Sequence, residues 1–147
     1  MSTEERRAVE LLTRVRYGRL ATTLRAMPFL APARHIVAGG AVLLRMHGGA
    51  GYHRACHGSV VTYGADNLEA ADGADADRGG RTGLWSVQLT GTARIAEPTG
   101  EELARFGAGP YRVDGQEFAP VYLRVEPQVV TVHTMECSAE QPDHHSE

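Results

Sequence analysis

The sequence contains no lysine; all 15 of its Lys and Arg residues are arginine. Without a side-chain amine no Schiff base can form, which excludes a pyridoxal-phosphate aldimine and a Schiff-base aldolase mechanism. Any phosphate must be held by guanidinium groups, backbone N–H groups or hydroxyls. Cysteine is scarce as well. Cys56 and Cys137 match no redox or metal spacing and read as free thiols in a reducing, cytoplasmic setting. No apolar run approaches the ~20 residues that span a bilayer. The opening MSTEERRAVELL is charged and has no apolar core, unlike a secretory signal. A net charge of -3 and a pI near 6.2 offer no general attraction to nucleic acid or to an anionic membrane.

What is present fits one soluble domain over residues 1–138, followed by a polar tail at 139–147 expected to be disordered. The 42% hydrophobic content is ordinary for a globular chain. Residues 3–16 are predicted helical: Ser2 and Glu5 fit a capping box, Val9, Leu12 and Val15 follow helical spacing, and Gly18 ends the run. YGRLATTL starts a strand at Tyr17. PFLAPARHIVAGGAVLLRM reads as a hairpin turning at Gly39-Gly40, with Pro28 and Pro32 placing its first arm at an edge or a bulge. A short helix over 51–57 precedes the strand SVVTYGA. The small, acidic, glycine-rich stretch 66–83 reads as a solvated loop and lacks the glycine placement of a calcium loop. LWSVQLTGTARIAE is a long strand with a bulge or bend at Gly91. PTGEELARFG is a short helix, and VYLRVEPQVVTVHTM supplies one bent strand or two, broken at Pro127. The fold class is therefore mainly β with short helices (α+β), its strands closed into a small barrel that leaves few edges.

The ordered series LLTRVRYGRLATT, PFLAPARHIVAGGAVLLRM, GAGYHRACHGSVVTY and GLWSVQLTGTARI resembles the pyridoxamine 5'-phosphate oxidase-like family of flavin-binding split β-barrels, over about residues 10 to 134. The resemblance implies a homodimer with two flavin mononucleotide (FMN) sites at its interface. It also implies a flavin-dependent oxidoreductase acting on a small molecule, the ring itself carrying the hydride chemistry. By the same resemblance the flavin is contacted by the hairpin's first arm, here Pro32, Ala33, Arg34 and His35, and by Arg45 and Met46 at the end of the second. Trp85 and Ser86 occupy the place of a polar side chain near the ring. The turn pair that grips the phosphate in relatives, ending in Lys, is replaced by Gly51 and Tyr52. Arg45, Arg54, the Tyr52 hydroxyl and the backbone of Gly48, Gly49 and Gly51 are the available substitutes.

Three readings of the turn within LLRMHGGAGYHRACHG stand together. It cradles a phosphate, it merely reverses the chain in a relative without cofactor, or His53, His57 and Cys56 on one helical face bind a metal or haem. The last would make the barrel a non-enzymatic haem- or tetrapyrrole-binding module. A deazaflavin coenzyme is a further alternative, for which the arginines look scattered. Strand alternation lets only one of Arg34 and His35 face the cofactor cleft, His35 being a contact residue or proton donor. Likewise only one of Trp85 and Ser86 can face it from a given subunit, and Trp85 otherwise anchors the barrel core or the dimer interface.

Overall fold

The computed structural model describes residues 2–69 and 83–136; most of the acidic loop and the polar tail, with the expectations placed on them, lie outside the described residues. The chain opens with helix α1 (Thr3–Leu12). Four strands follow: β1 (Tyr17–Leu24), β2 (Met27–Ala38), β3 (Ala41–His47) and, after helix α2 (Tyr52–Cys56), β4 (Val60–Asp66). Then come β5 (Leu84–Ile95), helix α3 (Gly100–Phe106), two short strands β6 (Arg112–Val113) and β7 (Gln116–Glu117), and β8 (Pro120–Met135). Six strands close into an antiparallel barrel in the order β1-β2-β3-β8-β5-β4, with β4 returning to β1.

Alternation fills the barrel from every strand. Leu20, Val42, Leu44, Val61, Tyr63, Trp85, Val87, Leu89, Leu123 and Val125 point inward, and Ala8, Leu11 and Leu12 of α1 join them. Strand β3 is buried on both faces, because α3 lays Phe106 over Leu43 and Ile36 on the outside. The Ser2–Glu5 capping box forms as predicted, but α1 ends at Leu12 rather than at 16. Tertiary bonds meet the chain there: the His35 ring contacts the Leu12 carbonyl at the helix end, and the His35 N–H donates to the Arg16 carbonyl just before β1. Gly18, expected to end that helix, lies inside β1, where a methyl group would strike the Tyr63 hydroxyl and the Gly64 carbonyl.

The hairpin turn at Gly39-Gly40 has positive φ at both residues, as its sequence requires. Pro28 and Pro32 lie in the half of β2 that pairs with β1 alone, so their missing N–H groups break no ladder. Strand β8 runs through Pro127 without breaking. It carries an extra residue, Gln128, opposite the Thr90–Gly91 step, and a side chain at Gly91 would strike the Glu126 carbonyl. The β1–β2 hairpin turns on Arg25 (φ 54) and Ala26 (φ 65), two residues for which this region is unfavourable. Ala26→Gly is accordingly expected to raise the unfolding free energy by about 0.5–1 kcal/mol in urea titrations, with an unchanged m-value.

Candidate functional site

Where β2 and β3 pair through Arg34 and Arg45, a cleft of about 130 Å³ opens on the barrel's outer side. Its walls are Tyr17, Pro32, Ala33, Arg34, Arg45, Met46 and His47, and residues 107–119 form a strap across it through Pro110, Val113 and Phe118. The strap is pinned at both ends by alternate side chains of β3. Arg45 donates from Nη1 to the Gly107 carbonyl (2.8 Å) and from Nη2 to that of Ala108 (3.4 Å). Its guanidinium also lies over the Phe106 and Phe118 rings, 5.2 and 5.9 Å from their centroids. His47 accepts the Ala119 N–H at Nδ1 (3.1 Å) and stacks on Phe118. Arg45, one of the residues expected near the flavin phosphate, is thus engaged in holding the strap.

Alternation decides between Arg34 and His35: Arg34 faces the cleft and His35 points into the barrel. Arg34 donates to the carbonyls of His35 (2.8 Å) and Arg105 (3.2 Å). Burial, with the neighbouring charge of Arg16, moves its pKa down. The His35 ring is buried between the Tyr63 hydroxyl at Nδ1 and the Leu12 carbonyl at Nε2 (2.8 Å). A carbonyl only accepts, so Nε2 carries the proton and Nδ1 accepts from Tyr63. Burial is the main cause lowering the His35 pKa. It is a structural residue, away from the cleft.

The glycine turn answers only part of what its sequence poses. Gly48 donates to the Ala119 carbonyl (2.8 Å), and Gly51, at φ 77, donates back to Gly48 (3.1 Å). Tyr52 stacks its ring on Phe29, with centroids 4.4 Å apart. Arg54 folds back so that its Nη2 lies 3.0 Å from where a Gly51 Cβ would be. It is exposed and makes no ion pair among the described residues. The three residues considered for a metal or haem diverge. Cys56 is in the core, and His57 accepts the Ile95 N–H at Nδ1 (2.9 Å). His53 is buried, with Nδ1 lacking a partner and its pKa lowered by burial and by Arg54. Among the described residues no three His, Cys, Asp or Glu side chains gather.

Trp85 packs in the barrel core and Ser86 points outward on β5, with Asp66 and His133 as its cross-strand neighbours. Strands β1 and β4 separate Ser86 from Pro32 and Arg34. A single subunit does not bring it to the cleft.

A family model described as pyridoxamine 5'-phosphate oxidase matches residues 4–139. The chain belongs to the pyridoxamine 5'-phosphate oxidase-like family. An uncharacterized protein of Mycobacterium tuberculosis is 35% identical over 105 residues, which is 67% of this chain and 62% of that protein. The match thus spans less than two thirds of that relative. The FAD binding protein from Mycobacterium smegmatis shares the fold with a TM-score of 0.64 at 23% identity, over 92% of this chain and 98% of that one. A FAD-binding protein from Mesorhizobium loti does so with a TM-score of 0.60 at 18% identity, covering 94% and 96%. The heme binding protein from M. smegmatis has a TM-score of 0.58 at 19% identity, covering 95% and 60%.

Two observations on this family member fit an anionic flavin. Pro32, Ala33, Arg34, Arg45 and Met46, expected to contact the flavin, are brought to one cleft. The exposed Arg54 guanidinium lies over Gly51, in the turn where the resemblance places the phosphate-binding pair. Sequence reasoning missed Tyr17, His47 and the strap. The Asp114-Gly115 pair, at φ 52 and 77, was the legible signal for the β6–β7 hairpin inside it.

Proposed function

We propose that this protein binds FMN as a homodimer and acts as a flavin-dependent oxidoreductase on a small molecule. The observation that carries the reading is the pairing of a cleft at Pro32–Arg34 and Arg45–Met46 with the exposed Arg54 guanidinium at the glycine turn. The ring would lie along the cleft's Pro32–Met46 side and the phosphate against Arg54. When bound, the flavin supplies hydride transfer; the chain's residues bind and orient it. The FAD-binding neighbours support a flavin as the cofactor. The divergence of His53, Cys56 and His57 leaves the haem alternative without a converging ligand set among the described residues.

Titration of the purified protein with FMN, FAD and riboflavin tests the reading. FMN is expected to bind and turn the protein yellow, and no uptake of any flavin at high micromolar concentration would end it. Arg54→Gln removes one charge-assisted contact of about 1.5–3 kcal/mol and should weaken FMN about ten- to a hundredfold while leaving riboflavin unchanged.

The homodimer rests on an uncovered face of the barrel. Leu30, Ala21, Thr62, Thr90 and Val129 form one uncharged row across β2, β1, β4, β5 and β8. Leu30 is 65% exposed, Val129 60% and the nearby Val60 60%. Small and flat side chains allow a second copy to approach closely, and its Ser86 would then reach a cleft that its own chain cannot. Thr62→Arg should yield a monomer by sedimentation velocity and lower FMN affinity at least tenfold; a wild-type monomer that binds FMN fully would refute the dimer.

A further inference from the structure

Arg34 and Arg45 line the cleft, and the fold brings Arg16 close to them, since its carbonyl takes the N–H of His35, the residue after Arg34. Arg34 and Arg45 are directly opposed across the β2–β3 ladder, an arrangement that is unfavourable for two like charges. Both lie over the same Phe106 ring, at 6.0 and 5.2 Å. Arg16 is exposed in the turn before β1, close enough for its charge to act on Arg34. Arg14–Glu10 and Arg124–Glu102 are ion pairs, and among the described residues no carboxylate pairs with Arg16, Arg34 or Arg45.

The carbonyl contacts of Arg34 and Arg45 satisfy part of their hydrogen-bonding capacity without neutralising their charge. Each uses two of the guanidinium's donors on backbone oxygens. The Arg16 carbonyl accepts the His35 N–H, but its guanidinium makes no hydrogen bond or ion pair among the described residues. Beside this charge the wall is flat and apolar: Tyr17, Pro32, Val113 and Phe118. The whole cleft, about 130 Å³ against the ~150 Å³ cavity that holds benzene, has room for a single ring at most, so a flavin ring would lie along its rim and not fill it.

We propose that the inner end of the cleft binds a single-ring aromatic carboxylate, its charge against Arg34 and Arg16 and its ring under the strap, as the substrate class of this site. This rests on the flavin reading in one respect only: it assumes that Arg54 serves the flavin phosphate and leaves the Arg34 group free for the second reactant. A carboxylate there gains charge-assisted hydrogen bonds that an uncharged isostere does not.

The test is calorimetric titration of the full chain, with and without FMN, using benzoate and its uncharged isostere benzamide at low salt. Benzoate is expected to bind at least tenfold more tightly. Arg16→Gln, which removes no structural contact, should reduce that preference at least threefold, and Arg34→Gln should abolish it. In Arg16→Gln, whose site lies outside the cleft wall, the preference for FMN over riboflavin stays at the wild-type value. Equal affinities for benzoate and benzamide would overturn the proposal. So would loss of the FMN preference in Arg16→Gln, because the group would then hold the flavin phosphate. A benzoate preference in protein that takes up no flavin would sustain this site while removing the flavin reading, so the two failures are distinguishable.

Discussion

Replacing Arg45 by methionine is expected to lower the unfolding free energy by about 3 kcal/mol and to release the strap. Methionine keeps the length of the side chain and its packing on Phe106. It deletes two hydrogen bonds from a charged donor, worth about 1.5–3 kcal/mol each, and cation–π contacts of about 0.5–2 kcal/mol. The Gly107 and Ala108 carbonyls are at the surface and can turn to water, so the loss is smaller than the sum. The local consequence is larger than the global one. With one latch gone, residues 107–119 are held mainly by His47 and the Phe118 stack. Limited proteolysis should then cut at the exposed stretch around Tyr111 and Arg112 at least tenfold faster than in wild type. If Arg45 instead served chiefly as a phosphate ligand, Arg45→Met would lower FMN affinity relative to riboflavin with the strap's cleavage rate unchanged. The two assignments give opposite results in the same two assays.

What was legible in the sequence follows from how local each signal is. The Gly39-Gly40 hairpin, the α1 capping box and the bulge at Gly91 rest on backbone demands that a few neighbouring residues express. The errors arise where a distant partner decides. Gly18 reads as a helix stop until Tyr63 and Gly64, more than forty residues on, are seen to need its missing side chain. Helix α1 stops early because His35 binds its end. Pro127 reads as a break but is absorbed by the extra residue Gln128. At the site, resemblance identified the strands that form the cleft, and alternation limited Arg34 and His35 to one occupant without saying which. The duty of Arg45 was hidden, because its partners at 107 and 108 lie more than sixty residues away in a stretch with no periodic pattern. The arginines looked scattered for the same reason: only the β2–β3 register and the turn before β1 bring Arg16, Arg34 and Arg45 together.

Stability is expected to fall as the pH drops below about 6.5, and His35 is a main cause. Its pKa in the folded state is lowered, first by burial and then by the charge of Arg34, so the unfolded chain binds the proton more readily. The stabilisation from the neutral ring is fully present above the unfolded pKa. It is lost progressively below it, until the folded pKa is reached. While the native ring stays neutral the slope approaches about 1.4 kcal/mol per pH unit. Protonation need not leave a hydrogen bond unmade, because the Tyr63 hydroxyl can turn to the Ala33 carbonyl at 3.3 Å and accept from Nδ1–H instead. The cost is therefore that of a buried charge beside a second cation. His53, also buried and also beside an arginine, adds a contribution of the same sign. Urea unfolding of wild type, His35→Gln and His53→Gln between pH 5 and 8 separates them. His35→Gln retains a donor and an acceptor and should flatten most of the slope at a modest cost at pH 8. His35→Leu, which leaves the Leu12 carbonyl with only the long Val15 N–H contact, should lose about 1–3 kcal/mol at every pH. A slope unchanged in His35→Gln would mean that the imidazole takes up its proton as readily in the fold as in the unfolded chain, which would refute the lowered pKa.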